Sequence, residues 1–247
     1  MTTDMRHAVF EVLSDVDAVA MRMAELFIEA VQNRPGERIR IALSGGSTPK
    51  RLFAILARPE VAQKVDWKRV EIFYGDERHV PVGHADSNQS MAESLLLSKV
   101  PLPAEQIHPM PTQGQAREDA QRYQEVMEAS YGAETLEKGR PFFDVVMLGL
   151  GTDGHTASLF PGEPVLDETK AWVSVSDPKT APHERLTLTY PAIASSRNIV
   201  FLVTGDNKVP MLRRLREGDS SIPSGRIVSE GKILVLADRA AAGEHTS

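Results

Sequence analysis

The richest chemistry in the sequence lies between residues 143 and 162, FDVVMLGLGTDGHTASLFPG. An apolar run ends in Gly149, Gly151 and Gly154, with Asp153 and His155 two positions apart. Histidine is the side chain whose ordinary pKa lies nearest neutrality, so it can take and return a proton. Asp153 is close enough in sequence to orient that ring. A lone histidine is more often structural than catalytic. Here the position at the end of an apolar strand, among glycines, favours catalysis. No GxSxG is present, so Ser158 is not the serine of a nucleophile elbow.

Three further turns carry candidate binding groups. The stretch Leu43-Ser44-Gly45-Gly46-Ser47-Thr48-Pro49 joins an apolar run to a helix-like segment. Gly45 and Gly46 allow close backbone approach, and Ser47 and Thr48 add hydroxyls. With the free N–H groups of a helix start, these can cradle a phosphate. Thr48 reads as the N-cap and Pro49 as the first helical residue. An ordinary capped turn has the same composition, and the segment alone leaves the two readings evenly balanced. It is neither a Walker loop nor GxGxxG. The second stretch, Gly75-Asp76-Glu77-Arg78-His79-Val80-Pro81, puts a charged cluster in the turn after another run. Asp76 can shape a site, and the planar fork of Arg78 suits a phosphate or a developing oxyanion. His79, His84 and Asp86 match no standard metal-ligand spacing, so no metal is expected. Asn88 caps or begins a helix running through Leu97. Later in the chain, Arg185 opens an alternating strand and Lys208 follows another apolar run. Two cations from separate segments can converge on one phosphate. Arg213, Arg214 and Arg216 read instead as a solvated helix face.

These residues need a scaffold, and the apolar pattern supplies one. Continuous runs at residues 39–43, 70–74, 143–150, 198–204 and 232–236 show little alternation, as strands buried on both faces do. Helical periodicity marks residues 15–32, 49–56 and 116–131. Residues 172–175 and 185–189 alternate like half-buried strands that extend the sheet or form an antiparallel addition. Strand and helix thus alternate, and the fold class is α/β: an open, mainly parallel twisted sheet with helices on both faces, Rossmann-like. The Pro-rich patch 100–111 is too short to divide domains, so residues 1–247 are expected to form one domain. Ligands in such sheets bind beyond the carboxyl ends of the strands, where every candidate above falls.

Composition narrows the function classes. The chain has 247 residues, no cysteine and a formal net charge of −6. Thiol nucleophiles, thiolate zinc sites and disulfides are excluded. The charge argues against nucleic acid as a partner. No apolar run has the length of a membrane span, and the first residues lack a signal-peptide pattern, so a cytoplasmic location is expected.

Taken in order, SGGSTP at 44–49, GDERHVP at 75–81 with Asp86-Ser87-Asn88, GLGTDGHTASLFPG at 149–162, ERLTLT at 184–189 and TGDNK at 204–208 resemble the 6-phosphogluconolactonase family. The resemblance runs from about residue 10 to about 237. It implies hydrolysis of 6-phospho-D-glucono-1,5-lactone to 6-phosphogluconate in the oxidative pentose phosphate pathway, without metal or organic cofactor. In that reading His155 is the general base and Asp153 orients it. Asp76 shapes the site or binds sugar hydroxyls, and Arg78 serves the oxyanion or the phosphate. Arg185, Lys208 and the Gly45–Gly46–Ser47–Thr48 turn hold the phosphate. The expected partner is a small phosphorylated lactone, and the chain is expected to be a monomer or weak homo-oligomer. A related activity, glucosamine-6-phosphate deaminase, needs an acidic residue where this chain has Phe160. Deaminases also tend to carry an aromatic residue at the position of Arg78. A non-catalytic sugar-phosphate sensor is a third reading. Such regulators carry a DNA-binding segment, and about ten residues before the first elements are too few for one.

Overall fold

A computed structural model describes residues 2–244. Six strands form one fully parallel sheet: β1 (Val9–Leu13), β2 (Ile39–Leu43), β3 (Val70–Tyr74), β5 (Val145–Gly149), β8 (Asn198–Val203) and β9 (Lys232–Asp238), in spatial order β1-β9-β8-β5-β2-β3. The inner strands are covered on both faces, which is why they read as unbroken apolar runs. β1 lies at an edge, is only partly buried and carries Glu11 mid-strand, so its sequence shows no such run.

A second sheet of three antiparallel strands stands beside the first, in the order β4 (Asp76–Arg78), β7 (Arg185–Leu188), β6 (Val173–Ser176). Residues 76–78 were expected in a turn; they form strand β4 instead. The corner is Gly75. Its N–H donates to the Leu43 carbonyl at the end of β2, and its carbonyl accepts from Leu188 of β7, both at 2.8 Å. One residue thus hands the chain from the parallel sheet to the antiparallel one. The alternating segments at 172–175 and 185–189 are the antiparallel addition.

Helix α1 (Val16–Gln32) buries Val19, Met23, Phe27 and Val31 along one stripe, with Asp15 capping the Ala18 N–H. Helix α2 (Ser47–Leu56) packs against α1. Helix α3 (Asn88–Leu95) is capped by Ser87 and stops two residues short of the expected Leu97, where a single 3₁₀ turn takes over. Helix α4 (Ala116–Tyr131) lies against β6 and β7, and its Tyr123 hydroxyl accepts the Tyr74 N–H at 2.9 Å. Helix α5 (Val209–Arg216) follows β8. No helix among the described residues is long and apolar enough to cross a membrane.

After β2 the chain moves outward to β3, then returns at β5 on the other side of β2. The strand order reverses there, and at such a point the loops leave the carboxyl ends in opposite directions and open a crevice.

Candidate active site

The crevice is a cavity of about 320 Å³. Its walls come from the segments after β2, β5 and β8 and from the first residues of the antiparallel sheet. Asp76, Arg78, His155, Arg185, Lys208 and the Gly45–Thr48 turn all line it. Asp153 stands immediately behind His155.

The loop after β5 holds a histidine–aspartate pair. Asp153 Oδ1 accepts both the His155 backbone N–H at 3.0 Å and the ring Nδ1 at 2.6 Å. An ionised Asp153 makes Nδ1 the donor and leaves a lone pair on Nε2. Burial pushes the Asp153 carboxyl up, but hydrogen bonds and attraction from His155 outweigh it and hold the carboxyl below its ordinary range. Gly151 makes the pair possible, because a β-carbon there would lie 2.1 Å from His155 Nδ1. Gly154, at φ +85°, turns the loop through the left-handed region. Its carbonyl accepts from Ser224, which ties the loop down.

Phe160 is the residue whose placement the sequence left unread. Its ring stacks on the His155 imidazole, with centroids 4.1 Å apart and planes 26° apart. The Arg185 guanidinium carbon lies 5.2 Å from the same ring. One aromatic side chain therefore touches both the candidate base and a candidate anion ligand.

The cationic wall has an unusual construction. Arg78 in β4 and Arg185 in β7 sit directly opposite each other in the antiparallel ladder. Like charges in that arrangement repel. Both Nε–H groups are buried without a hydrogen-bond partner among the described residues, which is costly for a charged donor. Arg78 Nη1 is held by the Asp86 carbonyl at 2.6 Å and by Asn88 Oδ1 at 3.2 Å; Arg185 Nη2 is held by the Pro182 carbonyl at 3.1 Å. Burial pulls the Arg185 pKa down, with repulsion from Arg78 adding to it and attraction to Asp76 opposing it. Lys208, half-buried at the end of the turn after β8, is also pulled down by burial, partly offset by Asp153.

One expected detail is corrected. Thr48 is not the N-cap of α2. Gly46 is, at φ +114°, so the helix begins two residues earlier than expected and Pro49 falls third within it. The left-handed turn that only glycine adopts cheaply sets this start. The Thr48 side chain is buried and its hydroxyl pairs with that of Thr204 at 2.8 Å, tying α2 to the end of β8. The Ser47 and Thr48 N–H groups, in the first turn, have no intrahelical acceptor. Asp76 lines the cavity wall and is buried, with its Oδ2 accepting from the Ser158 hydroxyl at 2.6 Å.

Glu77 and Asn88 form the underlying frame. Glu77 is 1% exposed and accepts four hydrogen bonds, from the N–H groups of Arg78, Asn88 and Gln89 and from the Ser87 hydroxyl. Asn88 donates to the Asp76 carbonyl at 2.9 Å and crowds Gly45 so closely that a β-carbon there would lie 2.0 Å from Asn88 Oδ1. Their polarity in sequence suits a solvated turn, and nothing local distinguishes the buried case.

The family model for glucosamine-6-phosphate isomerases/6-phosphogluconolactonase matches residues 14–235. The 6-phosphogluconolactonase of a Nostoc species is 38% identical over 240 residues, covering 95% of this chain and 97% of its own. The solved structure of 6-phosphogluconolactonase from Trypanosoma cruzi superposes with a TM-score of 0.82 at 26% identity, over 100% of this chain and 99% of that one. A monomeric glucosamine-6-phosphate deaminase also superposes, with a TM-score of 0.78 over 96% of this chain and 100% of its own, but at 19% identity it shares the fold alone.

Proposed function

The chain belongs to the glucosamine-6-phosphate isomerase/6-phosphogluconolactonase family, and from that premise we propose that it hydrolyses 6-phospho-D-glucono-1,5-lactone to 6-phospho-D-gluconate, the lactone step of the oxidative pentose phosphate pathway. One observation carries the reading. A cationic wall with two buried, unpartnered guanidinium N–H groups faces the same cavity as a histidine–aspartate pair. The wall calls for an anion, and the pair supplies a base.

In this mechanism the phosphate binds to Arg185 and Lys208, with the Ser47 and Thr48 N–H groups and the Gly45–Gly46 backbone completing the cradle. His155 Nε2 takes a proton from water as the water oxygen bonds to C1 of the lactone. Asp153 holds the resulting imidazolium. Arg78 faces the negative charge on the tetrahedral intermediate, where fixed donors act most strongly. The intermediate collapses by breaking the bond from C1 to the ring oxygen, and His155 returns its proton to that oxygen. Asp76, bound to Ser158, shapes the wall and positions β4 against β7. Residues 1–247 act as one domain in this account, and no step calls for a cofactor.

The deaminase reading needs an acidic group to manage further proton transfers. Phe160 fills the position where that group is expected and stacks on His155, which favours lactone hydrolysis. The sensor reading lacks a use for the His155–Asp153 pair. The test generates the lactone in situ with glucose-6-phosphate dehydrogenase and follows product through 6-phosphogluconate dehydrogenase, against the spontaneous rate. Acceleration above that blank supports the reading. No acceleration, with ammonia released from glucosamine 6-phosphate, would replace it with the deaminase.

A further inference from the structure

Outside the cavity, His84, Asp86 and His183 bring one potential ligand atom each within 4.8 Å of one another. They come from two loops 97 residues apart in sequence, which is why spacing within residues 79–86 gave no sign of them. His183 Nε2 lies 3.0 Å from Asp86 Oδ2, and His84 Nδ1 lies 3.9 Å from the same oxygen. The Asp86 N–H donates to His84 Nδ1 at 3.1 Å, so that nitrogen is unprotonated, and a cation there would take over the lone pair now held by this N–H. His183 is held at φ +69°, a conformation that costs a histidine more than glycine or asparagine. His79 takes no part, because its ring is committed to Asp119 at 2.7 Å.

We propose that His84, Asp86 and His183 form a binding site for a divalent cation of the zinc class. Two imidazoles and a carboxylate are the donor set that zinc and its first-row neighbours take. Bonds of about 2.0–2.2 Å to a shared ion draw such atoms to roughly 3.5 Å from one another, a small closure for rings that are 30–39% exposed. That exposure leaves room for water as a further ligand. The ion would pin the two loops to each other. Both border the cationic wall: the Asp86 carbonyl holds Arg78, and His183 lies two residues before Arg185. The site stands independently of the lactonase reading.

The test is zinc binding to metal-stripped, untagged protein by calorimetry, with cobalt absorption as a second readout. One Zn²⁺ should bind per chain and raise Tm, and Co²⁺ should give the intense visible bands of a low-coordinate site. His84→Gln and His183→Asn should each weaken binding by about tenfold or more, since even losing a residue that only supports a ligand costs about that much. Asparagine suits the left-handed backbone at 183, so that variant keeps its fold. His7→Gln, which removes an exposed histidine beside Asp4, should leave binding unchanged. Absence of binding at millimolar Zn²⁺ would overturn the proposal. So would affinity that survives both loop variants, or that is lost only in His155→Ala, which would put the ion on the His155–Asp153 pair.

Discussion

Asp153 and Phe160 act on one imidazole in different ways. The carboxylate fixes the tautomer through a 2.6 Å contact, and the aromatic ring fixes the plane by stacking. Asp153→Asn should therefore lower kcat while leaving KM nearly unchanged, because the amide no longer stabilises the imidazolium. The phosphate ligands should behave in the opposite way. Arg185→Ala should raise KM for the phosphorylated lactone about 10–100-fold, the range for a lost hydrogen bond to a charged group, and should affect unphosphorylated gluconolactone far less. Equal losses on both substrates would contradict the assignment. Lys208 adds a pH signature. Burial lowers its pKa from the ordinary 10.5, so the folded protein releases this proton before the unfolded chain does. Stability then gains a contribution as pH rises through the lowered value, while affinity for a phosphate dianion falls over the same interval. Calorimetry with 6-phosphogluconate should show weakening that begins below pH 10.5 and disappears in Lys208→Arg.

Among the elements, the loop after β5 and the strand β4 make the sharpest predictions. Gly151→Ala adds a carbon 2.1 Å from His155 Nδ1 without demanding a strained backbone. It should cut kcat by about the 10²–10⁴ attributed to positioned acid–base catalysis, with Tm little changed. Glu77→Ala removes the acceptor for three N–H groups and a hydroxyl. It should cost about 2–4 kcal/mol in a denaturant titration, together with a loss of substrate affinity as Arg78 drifts. These elements also mark how far the sequence could be read. The inner parallel strands were legible because burial on both faces leaves one physical signature, a continuous apolar run. β1 was not, since a half-exposed edge strand with a central glutamate carries no such run. β4 was taken for a turn because Asp76, Glu77 and Arg78 are polar, and only the Gly75 corner and the partner strand β7 make them a strand. The start of α2 was misplaced by two residues, because the φ of Gly46 decides it and glycine composition alone does not. The residues of the cavity were nameable one by one. Their pairing was not: Arg78 opposite Arg185, and Phe160 against both His155 and Arg185, are products of tertiary register.

For the whole molecule, a net charge of −6 surrounds a cavity lined with three cations. The overall field opposes an anionic substrate, so recognition must come from the local wall rather than from long-range steering. An anion there relieves repulsion between Arg78 and Arg185, and its binding should be felt by the entire fold. With 6-phosphogluconate at about a hundred times its Kd, stabilisation is about 2.7 kcal/mol, or roughly 5–10 °C in Tm for a chain of this size. At the same ligand concentration, Arg185→Ala should lose about half of that shift or more.

Everything proposed for this cavity turns on His155 as the base for lactone hydrolysis. The most direct test is the in situ lactone assay run on the parent protein and on His155→Ala side by side, with circular dichroism to show that both are folded. The parent should accelerate hydrolysis over the spontaneous rate, and the variant should lose about 10²–10⁴-fold of that while still binding 6-phosphogluconate. A folded His155→Ala protein that turns over the lactone at nearly the parent rate would contradict that role for His155.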